Sequence, residues 1–373
     1  MTWNLWLLAV AAIAVTFANG ANDNFKGVAT LFGSGTAGYR RALLWATATT
    51  AAGSLTALVL AASLVSRFSG KGLVPDALTA DPTFLAAVGA GAAATVLLAS
   101  WLGFPISTTH ALTGALVGAG LLAAGPQLRL SALGTGFLAP LLLSPFAAAL
   151  LVGATHTAFG AVRRRWGIGE DVCLCVSEAE SAIEPAALGG NSIVLGATLV
   201  APPLPVVAAV SDCTARGLAP TATALGTLDA AHYVSAGAVG FARGVNDTPK
   251  LLALLLPAQV LPTGPAVVLV AAAMAVGGLL AAKRVAETMS HRVTTMTPGQ
   301  GFAANVSTAL MVLFASRFGL PVSTTHVSSG SLFGLGAVTG QARWRTIVQI
   351  ILAWIVTLPC AAACAALTWW ILT

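Results

Sequence analysis

Hydrophobic residues fall in long blocks separated by short polar joints. The blocks run at 3–34, 42–66, 84–101, 105–123 and 130–160, and again at 230–257, 264–282, 299–316, 320–338 and 346–371. Several reach the roughly 20 residues that carry an α-helix across a hydrocarbon core. The pattern predicts an all-α polytopic membrane protein with about ten membrane segments. Two neighbouring pairs, 84–101 with 105–123 and 299–316 with 320–338, are joined by three residues each, and Pro105 or Pro321 follows the joint. So short a joint suits a re-entrant helical hairpin; two full crossings would leave the chain on the same side. The stretch at 161–229 is of another kind. It opens with Arg163, Arg164 and Arg165, holds Glu170, Asp171, Glu178, Glu180 and Glu184, and contains Pro202, Pro203 and Pro205. The expected division is a first transmembrane repeat at 1–160, a polar cytoplasmic linker at 161–229 and a second repeat at 230–373.

The word "repeat" rests on two matched blocks. FANGANDNFKGVATLF (17–32) aligns with FARGVNDTPKLLALLL (241–256), and FPISTTHALTGALVGAG (104–120) with LPVSTTHVSSGSLFGLG (320–336). The offsets are 224 and 216, the order is the same, and Gly114 and Gly118 fall on Gly330 and Gly334. Self-similarity at a nearly constant offset marks an internal duplication.

Composition and charge then narrow the class. Hydrophobic residues make up 57% of the chain and charged residues 8%, against roughly 25% charged in soluble domains. The formal net charge of +6 gathers between segments, which fits membrane orientation and not nucleic-acid binding. With the N-terminus outside, Arg40–Arg41, Arg163–Arg165, Lys283, Arg284, Arg292, Arg343 and Arg345 all fall inside, as the positive-inside rule expects. Arg67, Lys71 and Arg129 are exceptions. The C-terminus then also ends outside. A further crossing at 192–210 would reverse the second set, so none is expected there. The halves therefore enter the membrane from opposite sides, an inverted repeat of the kind common in secondary transporters. The first block has no basic start and is read as a membrane segment, not a cleaved leader. Cys173, Cys175, Cys213, Cys360 and Cys364 form no Cys-x-x-Cys pair, so neither a metal site nor a disulfide framework is expected.

The polar residues inside the apolar blocks carry the chemistry. Pro105 and Pro321 interrupt helices, and Ser107-Thr108-Thr109 and Ser323-Thr324-Thr325 would begin new ones. The first N–H groups of such a helix are unpaired and its N-terminal end is positive. With hydroxyl donors added, each tip is an oxyanion half-site. Two tips facing each other would enclose one tetrahedral anion. Gly20 and Gly244 permit a break in the helix, where Asn22–Asp23 and Asn246–Asp247 would supply oxygens. An aspartate within a membrane reads as functional. Lys26 and Lys250 follow three residues later, on the same face; each is free to neutralise its aspartate, to face the anion, or both. Blander readings stand beside these: hydroxyls bonded back to their own helix, a purely structural Asp–Lys pair, and His110 and His326 as caps instead of ligands.

At GANDNFKG, GVNDTPK and the two P-[IV]-STTH blocks the chain resembles the inorganic phosphate transporter (PiT) family, in both halves. The resemblance implies secondary transport of phosphate driven by sodium or protons. It implies a shared substrate and cation site lined by Asn22, Asp23, Ser107, Thr108 and Thr109, with Asn246, Asp247, Ser323, Thr324 and Thr325. Two departures bear on coupling. The family motif commonly reads G-A-N-D-V-A-N, and its second asparagine falls on Lys26, and on Lys250 in the other half. Many sodium-coupled members also carry a glutamate where this chain has Asn305. An ammonium repels a nearby sodium ion, so the lysines are expected to replace bound sodium, leaving coupling to protons at Asp23 and Asp247, or weak coupling. No cofactor is expected beyond a coupling H+ or Na+. The expected partners are inorganic phosphate and the lipid bilayer, with a homodimer left open. Sulfate is an alternative load. A passive anion channel and an intramembrane hydrolase built on Ser107, His110 and Asp23 are the other classes; a hydrolase has no use for a second STTH block.

Overall fold

A computed structural model describes residues 2–166, 172–176, 205–209 and 220–373. The first half holds α1 (Trp3–Asp23), α2 (Ala29–Gly33), α3 (Tyr39–Ala61), α4 (Ser63–Phe68), α5 (Pro82–Leu102), α6 (Thr108–Ala124), α7 (Ser131–Leu133) and α8 (Ala139–Arg165). The second holds α9 (Ala224–Leu255), α10 (Thr263–Ala281), α11 (Lys283–Glu287), α12 (Pro298–Arg317), α13 (Thr324–Thr339) and α14 (Trp344–Leu372). Contacts divide the chain into two units, Met1–Phe159 with His232–Thr373, and Gly160–Ala231. Among the described residues six helices are long and apolar enough to cross a membrane: α1, α3, α5, α8, α10 and α14.

Local signals explain where helices start and stop. Asp81 Oδ1 accepts the Phe84 N–H at 2.7 Å and Pro82 takes the first helical position of α5, where its missing donor costs nothing. Thr297 and Gln300 close a capping box around Pro298 at the start of α12, satisfying two orphan donors. The hairpins α5–α6 and α12–α13 are each interrupted by a few residues around Pro105 or Pro321. Ile106, Ser107, Val322 and Ser323 are buried there, so both interruptions lie in the protein interior.

The packing is inverted relative to a water-soluble protein. Leu150 is 77% exposed and Phe146 70%, whereas Ser107, Asn22 and Asn246 are 0% exposed. Apolar side chains face outward as a bilayer demands, and polar groups are held inside. α1 packs between α5 and α10, and α14 packs against α5 and α6. Such close approach requires small residues. A Cβ on Gly118 would fall 2.0 Å from the carbonyl oxygen of Ala362 on α14, and one on Gly334 would fall 2.5 Å from Ala149 on α8. The two glycines matched by the repeat thus do the same work in each half.

One sequence expectation needs correction. The second Asn–Asp motif is not at a helix break: α9 runs unbroken from Ala224 to Leu255, with Pro249 inside it. Only the first motif ends a helix, at Asp23. Gly244 serves close approach instead, since a Cβ there would meet the Thr50 carbonyl oxygen at 2.2 Å. The stretch read as a polar linker also carries strands. The Gly160–Ala231 unit contains an antiparallel sheet of order β2-β1-β3, made of β1 (Val172–Val176), β2 (Pro205–Ala209) and β3 (Pro220–Thr223). Val172 pairs with Ala209 and Cys173 with Thr223. Glu170, Asp171, Glu178, Glu180, Glu184, Pro202, Pro203 and Cys213 lie outside the described residues.

The glycine contacts predict that Gly118→Ala costs about 3 kcal/mol or more, because helix backbones must separate. Gly153→Ala, whose new methyl would meet only a Val338 side chain at 3.5 Å, should be neutral or stabilising by up to about 1 kcal/mol. Melting curves of the two detergent-solubilised variants check this; equal losses would show that close approach is not limiting.

Candidate functional site

Both serine-threonine blocks form helix tips. Ser107 and Ser323 are extended N-caps, with φ −95° and −100°, and their Oγ atoms accept the N–H of His110 at 3.1 Å and of His326 at 3.2 Å. The two tips meet. Thr325 Oγ1 donates to the Ile106 carbonyl at 2.8 Å, and the His110 and His326 rings lie with centroids 4.5 Å apart. His326 also rests on Trp354 at 4.0 Å and donates through Nδ1 to the Leu141 carbonyl at 3.0 Å. Ser107 is therefore spent as a cap, and it faces the backbone N–H of His110, which gives no support to a hydrolytic Ser–His pair.

Two ion pairs sit against these tips. Lys26 Nζ pairs with Asp23 Oδ1 and also donates to Asn22 Oδ1 (2.9 Å), the Ile106 carbonyl (2.9 Å) and Thr325 Oγ1 (2.5 Å). Lys250 Nζ pairs with Asp247 Oδ1 at 3.2 Å and donates to the Val322 carbonyl (2.9 Å) and Thr109 Oγ1 (2.8 Å). The arrangements correspond across the two halves, and each lysine reaches the threonine of the other half. An ammonium has three protons, and protein oxygens engage all of them. The lysines neutralise their aspartates. Asn22 and Asn246 tie the pairs to the hairpins: Asn22 Nδ2 donates to Ser100 Oγ at 2.9 Å, and Asn246 Oδ1 accepts from Ser316 Oγ at 3.1 Å.

All twelve residues singled out from the sequence are buried, none more than 5% exposed. Thr108 Oγ1 donates to Asp23 Oδ2 at 3.0 Å, and Thr324 occupies the equivalent first turn of α13. Asn305 Oδ1 accepts from Thr30 Oγ1 at 3.1 Å, and Thr30 also lies 3.0 Å from His232 Nε2.

Sequence reasoning missed the residues that bridge the two halves. Arg243 is 1% exposed. It donates to Asn19 Oδ1 at 2.6 Å, Asn24 Oδ1 at 3.0 Å and Thr50 Oγ1 at 3.3 Å, and its Nε lies 3.6 Å from Asp247 Oδ2. Asn19 Nδ2 lies within hydrogen-bond distance of Asp23 Oδ2 (2.8 Å), Thr108 Oγ1 (3.1 Å) and Asp247 Oδ2 (3.2 Å). The signal was in the aligned blocks, where FANG stands over FARG: Asn19 and Arg243 are the mismatched pair. An arginine within a membrane segment is itself a flag.

With that geometry in place, comparison gives the family. The profile described as "PHO4: Phosphate transporter family" matches residues 19–365. The chain belongs to the phosphate transporter family. Relatives include a protein of Mycobacterium leprae (strain TN) named "Probable low-affinity inorganic phosphate transporter", 27% identical over 100% of this chain and 79% of the relative. Another, of Rhizobium meliloti (strain 1021), has the same name and is 28% identical over 96% of this chain and 94% of the relative. The "Inorganic phosphate transporter 2-1, chloroplastic" of Arabidopsis thaliana is 27% identical over 95% of this chain and 70% of the relative. These family members are named as transporters and not as enzymes. A solved structure titled "The sodium-dependent phosphate transporter" shares the fold with a TM-score of 0.76, at 21% identity, over 100% of this chain and 99% of that one. Among the described residues, no group of three or more His, Cys, Asp or Glu side chains is placed to hold a metal ion.

The two ion pairs differ in one testable way. Removing one partner of a buried pair leaves an uncompensated charge and costs roughly 3–5 kcal/mol. Lys26→Met should incur that cost. Lys250→Met should cost less, because Arg243 remains beside Asp247. Chemical or thermal unfolding of purified variants measures the difference, and equal losses would contradict it.

Proposed function

We propose that this family member carries inorganic phosphate across the cytoplasmic membrane by alternating access, as a proton-coupled symporter. One observation carries the reading: two serine-capped helix tips converge in a buried site between two Asp–Lys pairs. Helix N-termini and hydroxyls favour an oxyanion, and the names of the relatives favour phosphate among oxyanions. Asn22, Asp23, Ser107, Thr108 and Thr109, with Asn246, Asp247, Ser323, Thr324 and Thr325, are the proposed substrate-site residues. Lys26 and Lys250 hold the local charge balance, and Asp23 and Asp247 carry the coupling proton.

Proton coupling departs from the name of the structural relative. The support is local: the Lys26 ammonium already sits among four protein oxygens, the environment a bound cation would need. The corresponding contacts in the two halves support an inverted repeat. The basic loops support a topology with both termini outside. Sulfate is the second reading, because helix N-termini and hydroxyl donors suit any tetrahedral oxyanion. A carboxylate cannot accept a hydrogen bond from fully ionised sulfate, so Asp23 and Asp247 favour phosphate.

Uptake of labelled phosphate into proteoliposomes tests this. A proton gradient should drive uptake without sodium, and sulfate in excess should compete weakly. Asp23→Asn and Asp247→Asn should each abolish gradient-driven accumulation. Sodium dependence that survives collapse of the proton gradient would refute proton coupling. Carriage of sulfate as fast as phosphate would move the substrate.

A further inference from the structure

Between α8 and α14 lies a cavity of about 510 Å³, lined by none of the Asp–Lys pairs. On α14 it runs from Trp344 to Leu358, fourteen residue steps, or about 21 Å at the helical rise. Its open side is bounded by outward apolar side chains, Leu142 and Phe146 of α8 and Ile351 and Ile355 of α14. In a membrane these face hydrocarbon. Two histidines line its buried side, His110 at 5% exposure and His326 at 2%. His110 Nδ1 and His326 Nε2 have no hydrogen-bond partner among the described residues. The His326 ring is fixed in place. Its Nδ1 donates to the Leu141 carbonyl at 3.0 Å, an acceptor left free because Pro145, four residues on, has no N–H. Trp354 packs on the ring with centroids 4.0 Å apart, its own Nε1 proton committed to the Pro105 carbonyl at 2.9 Å. With the proton on Nδ1, the neutral His326 ring presents Nε2 as a bare acceptor.

We infer that this cavity binds a lipid alcohol: an uncharged, single-chain amphiphile whose hydroxyl sits between His110 and His326. Three features select that chemistry. The first is the bare Nε2, which needs a donor. A hydroxyl can donate to it while its oxygen accepts from a proton on His110 Nδ1, and ring centroids 4.5 Å apart let one oxygen serve both rings. The second is the absence of charge. Among the described residues no Lys, Arg, Asp or Glu lines the cavity, so nothing there offsets a charged head group. A carboxylate head would also bring no proton for Nε2. The third is size. At the volume of a water molecule, about 30 Å³ per group, the cavity holds about seventeen carbon-sized groups, enough for one chain and not for the two of a membrane phospholipid. An acyl tail of the surrounding bilayer would fill the space but leave both nitrogens buried and unpaired, which is costly. The occupant would bridge α8 of the first half and α14 of the second. The inference stands apart from the phosphate reading.

The test is photolabelling of the full-length protein in phosphatidylcholine nanodiscs with hexadecanol carrying a mid-chain diazirine, read by peptide mass spectrometry. Label should saturate with dose and concentrate on α8 and α14 around Phe146 and Ile351. Excess hexadecanol should remove it, while hexadecane and palmitate should not. His326→Phe keeps an aromatic ring on Trp354 but removes the acceptor, and should weaken apparent affinity about tenfold, the worth of one hydrogen bond. Ile351→Trp leaves both histidines in place and fills the cavity, so it should abolish the saturable label. Melting curves show whether each variant is folded, and Ile351→Trp decides the matter if His326→Phe does not fold. Label spread evenly over the lipid-facing helices would overturn the inference, leaving acyl chains in the groove and water between the histidines. Saturable label that persists in folded Ile351→Trp would do the same. Equal displacement by hexadecane would make the hydroxyl irrelevant, and preferential displacement by palmitate would make the head group an anion; either result sinks the proposal.

Discussion

A carboxylate inside a hydrocarbon slab is tolerable only with a cation against it and donors on its remaining lone pairs. Most of the architecture around Asp23 and Asp247 follows from that requirement. Lys26 and Lys250 lie three residues further along the chain and supply the cations. Thr108, Asn19 and Asn246 supply further donors. To bring those groups in, two helices must begin in the interior, and Ser107 and Ser323 must cap them there because water cannot. Polar backbone and charged side chains thus satisfy one another in a single buried assembly.

The requirement also ties the two halves together. Lys26 reaches Thr325 and Lys250 reaches Thr109, so each half supplies a hydroxyl to the other's lysine. Asn19 lies between both aspartates. The glycine-lined seams, where Gly118 and Gly334 admit the backbones of α14 and α8, hold helices of each half in close contact.

Much of this was legible in the chain. The all-helical membrane body, the two interrupted hairpins and every residue at the helix tips follow from apolar blocks, two prolines and a repeated STTH. The rest was hidden for physical reasons. A glycine before an Asn–Asp motif signals both a helix break and a close approach, and the sequence does not distinguish Gly20, near a helix end, from Gly244, in mid-helix. Ser100 and Ser316 look like ordinary helix hydroxyls; only the fold shows that they steady Asn22 and Asn246. The three short strands at 172–176, 205–209 and 220–223 lie in a stretch where charge and proline obscure the apolar pattern. Arg243 was missed for a different reason. Aligning two halves draws attention to identities, and the informative position was the one that differed.

That difference has an arithmetic consequence. Two copies of one half-site, however composed, carry an even number of unit charges between them, because whatever one copy contributes the other doubles. An odd total is reachable only if one copy departs from its twin. Asn19 opposite Arg243 is such a departure, on a framework whose other charged positions still match. Duplication can double a binding surface, but it cannot by itself set an odd valence. Any process that made the two halves identical again would restore their sequence symmetry and return the site to an even charge.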